Sequence, residues 1–422
     1  MDNAKLLALD TFGAALAAAP LDIGQLITGY AASAGPAVIW GTEHTASPKD
    51  AALANGTLCS GLDFDPGFHL TTHTLPAAIA AGEGAGASGR AVLEGFIAGY
   101  ETGARLIEAL DSARHEGRGV TSRGWYHVGL VGPVASAVAA GKVLGLDQSR
   151  LQTAVGLAVT TAGGVRQNFG TMAKALQAGN AASQGVQSAQ LALAGFGADP
   201  DTLEAPLGLL AALGIPEDAT AQAIGKLGSR WELLADLKVK RFPACTPAHQ
   251  PVQVALQLQR EHGFRPEDVE TIEAQLHDKL SLIRLDPPDH IAAGFSLPFL
   301  VAVALVDGQL TLDQVTEERI HQPIVRELMS RVRRASTTSR EGGPEQLTIH
   351  LKDGGVLTGT AESVDRLDSA AEIEAKFRSN AARAVRPPQV EAILEAAMRL
   401  ETLPRITQLT ETLGRTGTIG RQ

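Results

Sequence analysis

Cysteine is scarce in this chain. Its 422 residues include only two, Cys59 and Cys245, which are far apart in the sequence. Two thiols cannot form a disulfide framework, and they cannot supply the three or more thiolates that hold an iron–sulfur cluster. The sequence therefore predicts neither a disulfide-stabilised scaffold nor an iron–sulfur protein.

Positive charge and long apolar runs are also lacking. The 36 Lys and Arg residues are outnumbered by 46 Asp and Glu residues, which gives a formal net charge of -10, whereas a nucleic-acid-binding protein normally presents a basic face. No apolar run reaches about 18 residues, and the start has no basic segment followed by an apolar one with a cleavage site. We therefore expect a cytoplasmic protein that binds neither nucleic acid nor a membrane. A few buried cations can still create a local positive field in an acidic protein.

Small and apolar residues are plentiful. Hydrophobic residues make up 44% of the chain and charged residues 19%, which is typical of a folded protein with a large core. The length favours two domains. In the first half of the chain, apolar residues recur at helical spacing and no strand is predicted up to residue 110. The predicted helices are 5–19, 21–34, 51–62, 75–82, 89–110, 151–161 and 172–194.

The composition changes near Ala235. Residues 237–243 and 269–277 alternate like strands, and 346–363 is typical of a β-hairpin around Asp353-Gly354-Gly355. Helical patterns at 296–306 and 312–320 lie between them, and helices return from residue 369. The sequence therefore predicts a mainly α protein with an α+β lid. The predicted limits are 1–235 with 367–422 for a discontinuous all-helical domain, and 236–366 for the α+β lid domain.

The stretch 51–80 carries the densest set of reactive side chains. Asp63 and Asp65 interrupt an apolar run, a Pro-Gly pair breaks the backbone, and His69 and His73 follow. Acids and imidazoles directed into one loop are the groups that acid–base catalysis needs. The alternative is that an Asp caps a helix and the histidines are solvated. Ala-rich helices on both sides favour a site, because small side chains let backbones approach and leave narrow pockets.

A second polar loop runs into an Ala/Gly-rich helix at 121–146. Arg123, Tyr126 and His127 precede that helix, whose N-terminal amides can receive an anion. Alternatively, Trp125 and Tyr126 are packing anchors, the commoner role of aromatic residues. The glycines there do not predict a nucleotide site, because no strand precedes them and no Gly-Lys-Ser/Thr ending follows.

Cationic side chains occur in two further places. Lys174 stands among small residues of a predicted helix, where its ammonium group needs a carboxylate from the protein or a ligand, unless it reaches solvent. Lys240 and Arg241 lie at the predicted domain junction, a common place for small-molecule sites. The turn that follows carries Cys245 and His249, which can converge with them. A structural role is the default for Cys245 unless its surroundings lower its pKa.

Together these motifs closely resemble the MmgE/PrpD superfamily, which contains 2-methylcitrate dehydratase, cis-aconitate decarboxylase and iminodisuccinate epimerase. The resemblance covers nearly the whole chain. It is carried by Ala54-Asn55-Gly56, Leu62-Asp63-Phe64-Asp65 with His73, Arg123-Gly124, Lys174 with Ala178-Gly179-Asn180-Ala181-Ala182, Lys240-Arg241-Phe242-Pro243 with Cys245 and His249, and Ser296-Leu297-Pro298-Phe299.

The resemblance implies a helical domain, an α+β lid, a cleft between them and a homodimer. It also implies acid–base chemistry on small di- or tricarboxylates, at a carbon next to a carboxylate, without a cofactor or metal. Asp63, His73, Lys174 and Lys240 occupy the family's functional positions. We expect His73 to shuttle the proton and Asp63 to orient it. The two lysines, with Arg241 nearby, would hold substrate carboxylates, while Tyr126 or His127 supplies a second acid–base group.

Departures from the family bear on the reaction. Tyr126 takes a position that is commonly histidine, with His127 next to it. The decarboxylase branch has Thr, His and Tyr where this chain has Gly67, Cys245 and Phe299, so decarboxylation is the least expected reaction. We expect a 2-methylcitrate-dehydratase-like hydro-lyase, with an epimerase or a non-catalytic carboxylate-binding protein as alternatives. The family usually has one more helix before the segment matching residues 6–19, so we expect the printed start to be truncated or misassigned.

Overall fold

The computed structural model describes residues 1–112, 114–115, 118–235, 237–276, 284–335 and 345–414. Over these residues the protein is mainly helical, with small sheets. The predicted fold class, mainly α with a smaller α+β part, is thereby confirmed.

The first part of the chain is a bundle of helices. Short strand pairs occur in two of its connections: β1 (Ala37–Val38) with β2 (Thr45–Ala46), and β3 (Arg114–His115) with β4 (Arg118–Gly119). The helices are α1 (Asp2–Ala18), α2 (Asp22–Ala31), α3 (Pro48–Ser60), α4 (Thr71–Ala85), α5 (Gly89–Ser112), α6 (His127–Val143), α7 (Gln148–Val159), α8 (Met172–Leu193), α9 (Leu209–Ala212) and α10 (Glu217–Ile224).

Small residues explain how closely these helices pack. A Cβ added at Gly179 of α8 would lie 2.4 Å from the carbonyl oxygen of Leu53 in α3. One added at Gly99 of α5 would lie 2.6 Å from the carbonyl oxygen of Ala135 in α6. Because Cβ atoms essentially never approach a backbone oxygen so closely, only glycine allows these crossings. Helix α8, which carries Lys174, is thereby held directly against α3, the helix that leads into the Asp63 loop.

The α+β part follows. It contains a four-stranded sheet in the order β7-β6-β8-β9, in which β6 is parallel to β7 and antiparallel to β8, and β8 is antiparallel to β9. Its elements are β5 (Val239–Lys240), α11 (His249–His262), β6 (Val269–Gln275), α12 (His290–Ala293), α13 (Leu297–Asp307), α14 (Glu317–Ile320), α15 (Pro323–Arg331), β7 (Val332–Arg334), β8 (Glu345–Leu351) and β9 (Val356–Ala361).

The chain then returns to the helical bundle. Strand β10 (Arg366–Leu367) pairs antiparallel with β5, and α16 (Ala370–Ala381), α17 (Pro387–Met398) and α18 (Thr407–Leu413) follow. Buried apolar residues form two main clusters. The first cluster consists of residues up to Val239 and again from Leu367, most of them in the helices. The second cluster consists of residues between Phe242 and Ala361. The domain limits given above remain a prediction, but both connections between the clusters pass through the β5–β10 pair.

Several predicted elements differ from the structure. The helix expected at 312–320 is reduced to Glu317–Ile320, and the strand expected at 237–243 to Val239–Lys240. The loop at 35–48 contains the β1–β2 pair, whose two-residue strands are too short to show alternation. The helices expected from the first residues and the hairpin at 346–363 are confirmed. The last residue of the strand predicted at 269–277 lies outside the described residues.

No single helix of the described residues is both long and apolar enough to span a membrane. Helices α1 and α2 pass that test only when taken together, and the chain bends by 95° between them.

Candidate active site

The loop that joins α3 to α4 has an unusual backbone. Asp63, Phe68 and His69 have φ angles of 50°, 70° and 59°, in the left-handed region that residues other than glycine rarely adopt. Contacts from outside the loop hold it there, since the amide of Gly67 donates to the carbonyl oxygen of Lys238 at 2.8 Å. Such strain costs roughly 1–3 kcal/mol per residue and is concentrated at functional sites.

Two buried lysines meet the carboxylate of Asp63. The Nζ atom of Lys174, in the first turn of α8, donates to Oδ1 of Asp63 at 2.6 Å and to Oγ of Ser60 at 3.0 Å. The Nζ atom of Lys240, on β5, donates to the carbonyl oxygen of Asp63 at 2.6 Å and lies 3.2 Å from its Oδ2. The three charged residues are at most 4% exposed. Lys174 therefore does not reach solvent, and the predicted grouping of Asp63 with both lysines is present.

The opposite charges of Asp63 and the two lysines stabilise one another. Burial alone would raise the pKa of Asp63, but Lys174 and Lys240 hold it below its usual value. Burial alone would lower the pKa of Lys174, but the Asp63 carboxylate raises it. Asp63 and Lys174 are thus charged at neutral pH. Buried ion pairs seldom add net stability, because desolvation offsets their attraction, so this group is better explained by function than by folding.

His69 and Asp65 form a second pair within the same loop. Nδ1 of His69 lies 2.5 Å from Oδ2 of Asp65, and its Nε2 lies 3.8 Å from Oδ1 of Asp63. Burial, together with Lys174 and Lys240, lowers the pKa of His69 despite the Asp65 carboxylate. The pKa of Asp65 is also lowered, because His69 and both lysines outweigh its burial. At neutral pH the imidazole is therefore neutral, Nδ1 carries the proton that the carboxylate accepts, and Nε2 has a free lone pair.

His73, the expected proton shuttle, lies deeper in the wall of the site. It is fully buried on α4, and its Nδ1 lies 3.1 Å from Oγ of Ser136 on α6, while its Nε2 has no partner. Burial, followed by the proximity of His127 and His69, lowers its pKa to about 3. The expected pairing of Asp63 with His73 is not present: Ser136 holds the imidazole, while both carboxylate oxygens of Asp63 face lysines.

Tyr126 and His127 have different roles at the start of α6. The Tyr126 hydroxyl is buried without a hydrogen-bond partner, and burial raises its pKa although the nearby Lys174 lowers it. Nε2 of His127 donates to the carbonyl oxygen of Phe68 at 3.0 Å, and its ring stacks on His69 with centroids 6.1 Å apart. Burial lowers the pKa of His127 to about 3. Tyr126 therefore offers a protonated phenol beside the charged group, and His127 supports the loop.

Two residues that follow Lys240 in the chain, Cys245 and His249, are buried close to it. Burial, assisted by Asp63, raises the pKa of Cys245 to about 12, which makes it an unreactive thiol. Nε2 of His249 donates to the carbonyl oxygen of Ala244 at 3.2 Å, and burial, assisted by Lys240, lowers its pKa to about 3. These two residues stay near the lysine as buried, uncharged neighbours.

Arg241 is not brought to the charged group. Its Nε lies 2.7 Å from Oδ2 of Asp365, and its Nη2 donates to Oε1 of Glu372 at 3.0 Å. Arg241 follows the last residue of β5, and its guanidinium group lies with these two carboxylates rather than with Asp63. That Arg241 helps to hold substrate stays a prediction.

Unpartnered polar atoms surround the site. Oη of Tyr126, Nε2 of His73 and Oδ1 of Asp65 are buried without hydrogen-bond partners. Buried polar atoms nearly always have a partner, so such orphans indicate where a ligand or water binds. Together with the two lysines, these atoms favour a ligand that carries both anionic and hydroxyl or carbonyl oxygens.

Comparison with known proteins decides the family. Residues 1–222 match the MmgE/PrpD N-terminal domain, and residues 242–402 match the MmgE/PrpD C-terminal domain. The chain belongs to the MmgE/PrpD family. Similar curated proteins include the cis-aconitate decarboxylase of Homo sapiens, 27% identical over 446 residues that span 98% of this chain and 90% of that protein. Another is the cis-aconitate decarboxylase of Aspergillus terreus, 27% identical over 406 residues that span 87% of this chain and 81% of that protein.

Of the positions at which this MmgE/PrpD chain is expected to differ from the decarboxylase branch, Phe299 and Cys245 are buried and Gly67 is half-buried. Phe299 is fully buried in the second core. Gly67 lies against Lys238, where an added Cβ would be 3.1 Å from the lysine Cβ. Cys245 is also buried. The chain thus has neither a hydroxyl nor an imidazole group at these three positions.

Asp63, Asp65 and His69 also form a possible cation site, since one ligand atom from each lies within 4.8 Å of the others. The contacts already described oppose that use: Asp63 faces two ammonium groups, and Nδ1 of His69 faces Asp65. The absence of a metal from the chemistry of this MmgE/PrpD chain stays a prediction.

Asp65 and His69 were expected among the acid–base groups of the loop, but only Asp63 and His73 were given individual roles. The four-residue spacing of Asp65 and His69 was the available signal, because it brings two side chains together whenever the chain turns as a helix does. The intervening Pro-Gly pair argued against such a turn. Left-handed residues restore the contact without a helix.

Proposed function

We propose that this MmgE/PrpD protein is a lyase that acts on a small di- or tricarboxylate by acid–base chemistry at a carbon next to a carboxylate. The supporting observation is the contact of Lys174 and Lys240 with Asp63, beside a neutral imidazole and a protonated phenol. The activity for which the relatives are named, cis-aconitate decarboxylation, also concerns a small tricarboxylate and a lyase reaction.

The difficult step for such an enzyme is removal of a proton from carbon. The proton passes to a base, and the adjacent carboxylate gains enolate charge, which nearby ammonium groups stabilise. In a dehydration the hydroxyl group then leaves as water after taking a proton from an acid, and a carbon–carbon double bond forms. Lys174 and Lys240 can stabilise the enolate charge, and the protonated Tyr126 can donate the proton to the leaving hydroxyl group.

We favour a hydro-lyase, with a 2-methylcitrate-like β-hydroxy acid as substrate. The observation that favours it over decarboxylation is the neutral state of the site's histidines, whose pKa values are all lowered. A neutral imidazole can accept a proton from carbon, whereas decarboxylation needs a group that donates one to carbon. The phenol of Tyr126 keeps decarboxylation open as the second candidate, and the relatives' activity supports it.

Epimerisation is the third candidate. It requires two unlike acid–base groups on opposite faces of one carbon, and His69 and Tyr126 are two such groups, with ring centroids 6.2 Å apart. A protein that binds a carboxylate without turnover is the alternative from another class. The same assay distinguishes all four.

The assay is proton NMR of the purified protein with 2-methylcitrate, citrate, cis-aconitate and an aspartate-derived dicarboxylate, each in deuterated water. A hydro-lyase converts a hydroxy acid into an alkene, seen as new vinylic signals or, from 2-methylcitrate, as new allylic methyl and methylene signals. An epimerase only exchanges the carbon-bound proton of the substrate. A decarboxylase converts cis-aconitate with loss of carbon dioxide. If every acid stays unchanged while thermal shifts show binding, the protein is a binder and the proposed lyase function is wrong.

We also propose a cytoplasmic homodimer built on the helical part, as the family resemblance implies. Light scattering coupled to size-exclusion chromatography gives the mass directly. A monomeric mass near 43.9 kDa at micromolar concentration would exclude the dimer.

A further inference from the structure

We infer that His69, positioned by Asp65, is the base that removes the proton from the substrate carbon, and that His73 is not. The inference rests on the proposed function, because it assigns a step of that chemistry. It adds a catalytic residue, His69, and a positioning residue, Asp65, to the charged group described above.

The first argument is the direction of the two ring nitrogens of His69. Nδ1 is fixed 2.5 Å from the Asp65 carboxylate, so Nε2 is directed towards Oδ1 of Asp63 at 3.8 Å. That same oxygen receives the ammonium group of Lys174 at 2.6 Å. A substrate carboxylate that replaced Oδ1 of Asp63 on Lys174 would bring its adjacent carbon close to Nε2 of His69. Reacting atoms about 3–3.5 Å apart are what proton transfer requires.

The second argument is the backbone at this position. Phe68 and His69 are consecutive left-handed residues, and two contacts hold them: Nε2 of His127 on the Phe68 carbonyl at 3.0 Å, and Lys238 on the face of the Phe68 ring at 3.7 Å. Despite its strain, this left-handed backbone directs the His69 imidazole towards the two lysines. A histidine with only a packing role would not need it.

The third argument is the contrast with His73. Its Nδ1 is bonded to a neutral hydroxyl, Ser136, rather than to a carboxylate. Its Nε2 is buried without a hydrogen-bond partner, on the side that faces Gly132 of α6. Without a carboxylate behind it, an imidazolium at His73 would be poorly stabilised, and the pKa of His73 is lowered to about 3 by burial. His73 is thus better placed to shape the wall than to accept a proton.

The step balances as follows. The substrate C–H bond breaks, its proton passes to Nε2 of His69, and its electron pair enters the enolate held by the lysines. Asp65 stays ionised and stabilises the imidazolium, while the hydroxyl group leaves as water with a proton from an acid such as Tyr126. An incoming carboxylate favours the transfer, because it offsets the ammonium charges that otherwise lower the pKa of His69.

The test compares three variants with the wild-type protein. His69→Asn removes the base, but asparagine tolerates a left-handed backbone and can still donate a hydrogen bond to Asp65. Asp65→Asn removes only the negative charge of the carboxylate. His73→Gln tests the alternative that His73 is the base. His321→Gln, at an exposed position, is the control. The measurements are kcat and KM for the substrate found by NMR, exchange of its carbon-bound proton, and binding of propane-1,2,3-tricarboxylate as a probe that cannot dehydrate.

We expect His69→Asn to lower kcat and exchange about 10²–10⁴-fold while probe binding changes only a few-fold. We expect His73→Gln to lower kcat and proton exchange much less than His69→Asn does, because His69 and Asp65 stay in place. Asp65→Asn should lower kcat and move the acid limb of the pH–rate profile to lower pH, because the imidazolium loses its carboxylate. The groups facing His69 that set this limb are Asp63, Asp65, Lys174, Lys240, His73, His127 and Tyr126.

The outcomes separate the two proposals. If the wild-type protein neither turns over nor exchanges any of the acids, the proposed function fails, and the base assignment fails with it. If the wild-type protein exchanges the proton and His69→Asn still does so at a similar rate, only the base assignment is wrong. Loss of exchange in His73→Gln but not in His69→Asn would transfer the role to His73.

Discussion

At the scale of single residues, the site depends on charges that are costly to bury. Asp63, Lys174 and Lys240 are almost fully enclosed and contact one another. Removing one member of a buried pair leaves an uncompensated charge and costs about 3–5 kcal/mol. Variants of these residues therefore need a stability control before any change in activity is assigned to catalysis.

The lysines give the first prediction at this scale. Lys174→Met keeps most of the aliphatic stem and removes the ammonium group, so we expect kcat/KM to fall at least about 100-fold, mainly through KM, as a carboxylate contact is lost. Lys142→Met changes an exposed lysine of α6 and should leave kcat/KM unchanged. Thermal unfolding of each variant shows how much protein is folded. An unchanged kcat/KM in folded Lys174→Met would remove Lys174 from the site.

At the scale of elements, the position of Lys174 depends on the crossing of α3 and α8. Gly179, one and a half turns beyond the lysine, packs against the backbone of α3, where an added Cβ would lie 2.4 Å from the carbonyl oxygen of Leu53 and 2.2 Å from Oγ1 of Thr57. The helices cannot stay at this distance with a larger residue. Stability and site geometry are therefore linked through this crossing.

We predict that Gly179→Ala is destabilising by roughly 1–3 kcal/mol, because the methyl group overpacks a closed helix interface. The matched control is Gly29→Ala in α2, where no atom lies within 4 Å of the added Cβ. That change should be neutral or stabilising by up to about 1 kcal/mol, since alanine favours helices. Urea unfolding measures both values. Equal stability of the two variants would contradict a close crossing at Gly179.

Sequence patterns predicted the secondary-structure elements better than they predicted contacts between distant residues. Helices such as α1 and α13 follow from local periodicity, and the hairpin of β8 and β9 follows from alternation around Asp353-Gly354-Gly355. The contact of Lys174 with Asp63 joins residues 111 positions apart. Spacing cannot indicate such a contact, so only the family resemblance identified it. The ion pairs of Arg241 with Asp365 and Glu372 likewise join residues that are far apart in the sequence.

At the scale of the whole molecule, several histidines are buried in their neutral form. Burial lowers the pKa values of His73, His127 and His249 to about 3, compared with about 6.5 in an unfolded chain. Below pH 6.5 the unfolded chain binds protons that the folded protein does not. The stability due to these residues is therefore present above that pH and is lost progressively as the pH falls.

We predict that the free energy of unfolding decreases by about 1.4 kcal/mol per pH unit for each of these histidines between about pH 6.5 and 4. Glu83 acts in the opposite sense, because burial raises its pKa to about 7, but it offsets at most one histidine. Urea unfolding across this range checks the slope. His249→Gln, which keeps a donor for the Ala244 carbonyl, should reduce it. A stability that does not depend on pH, or an unchanged slope in His249→Gln, would contradict the buried neutral histidines.

The most direct test of carboxylate binding at the two lysines is a crystal structure of the protein with propane-1,2,3-tricarboxylate. We predict that one carboxylate lies within hydrogen-bond distance of Nζ of both Lys174 and Lys240, and that the carbon next to it faces Nε2 of His69. A tricarboxylate bound away from these lysines, or none bound at saturating concentration, would contradict the proposed site.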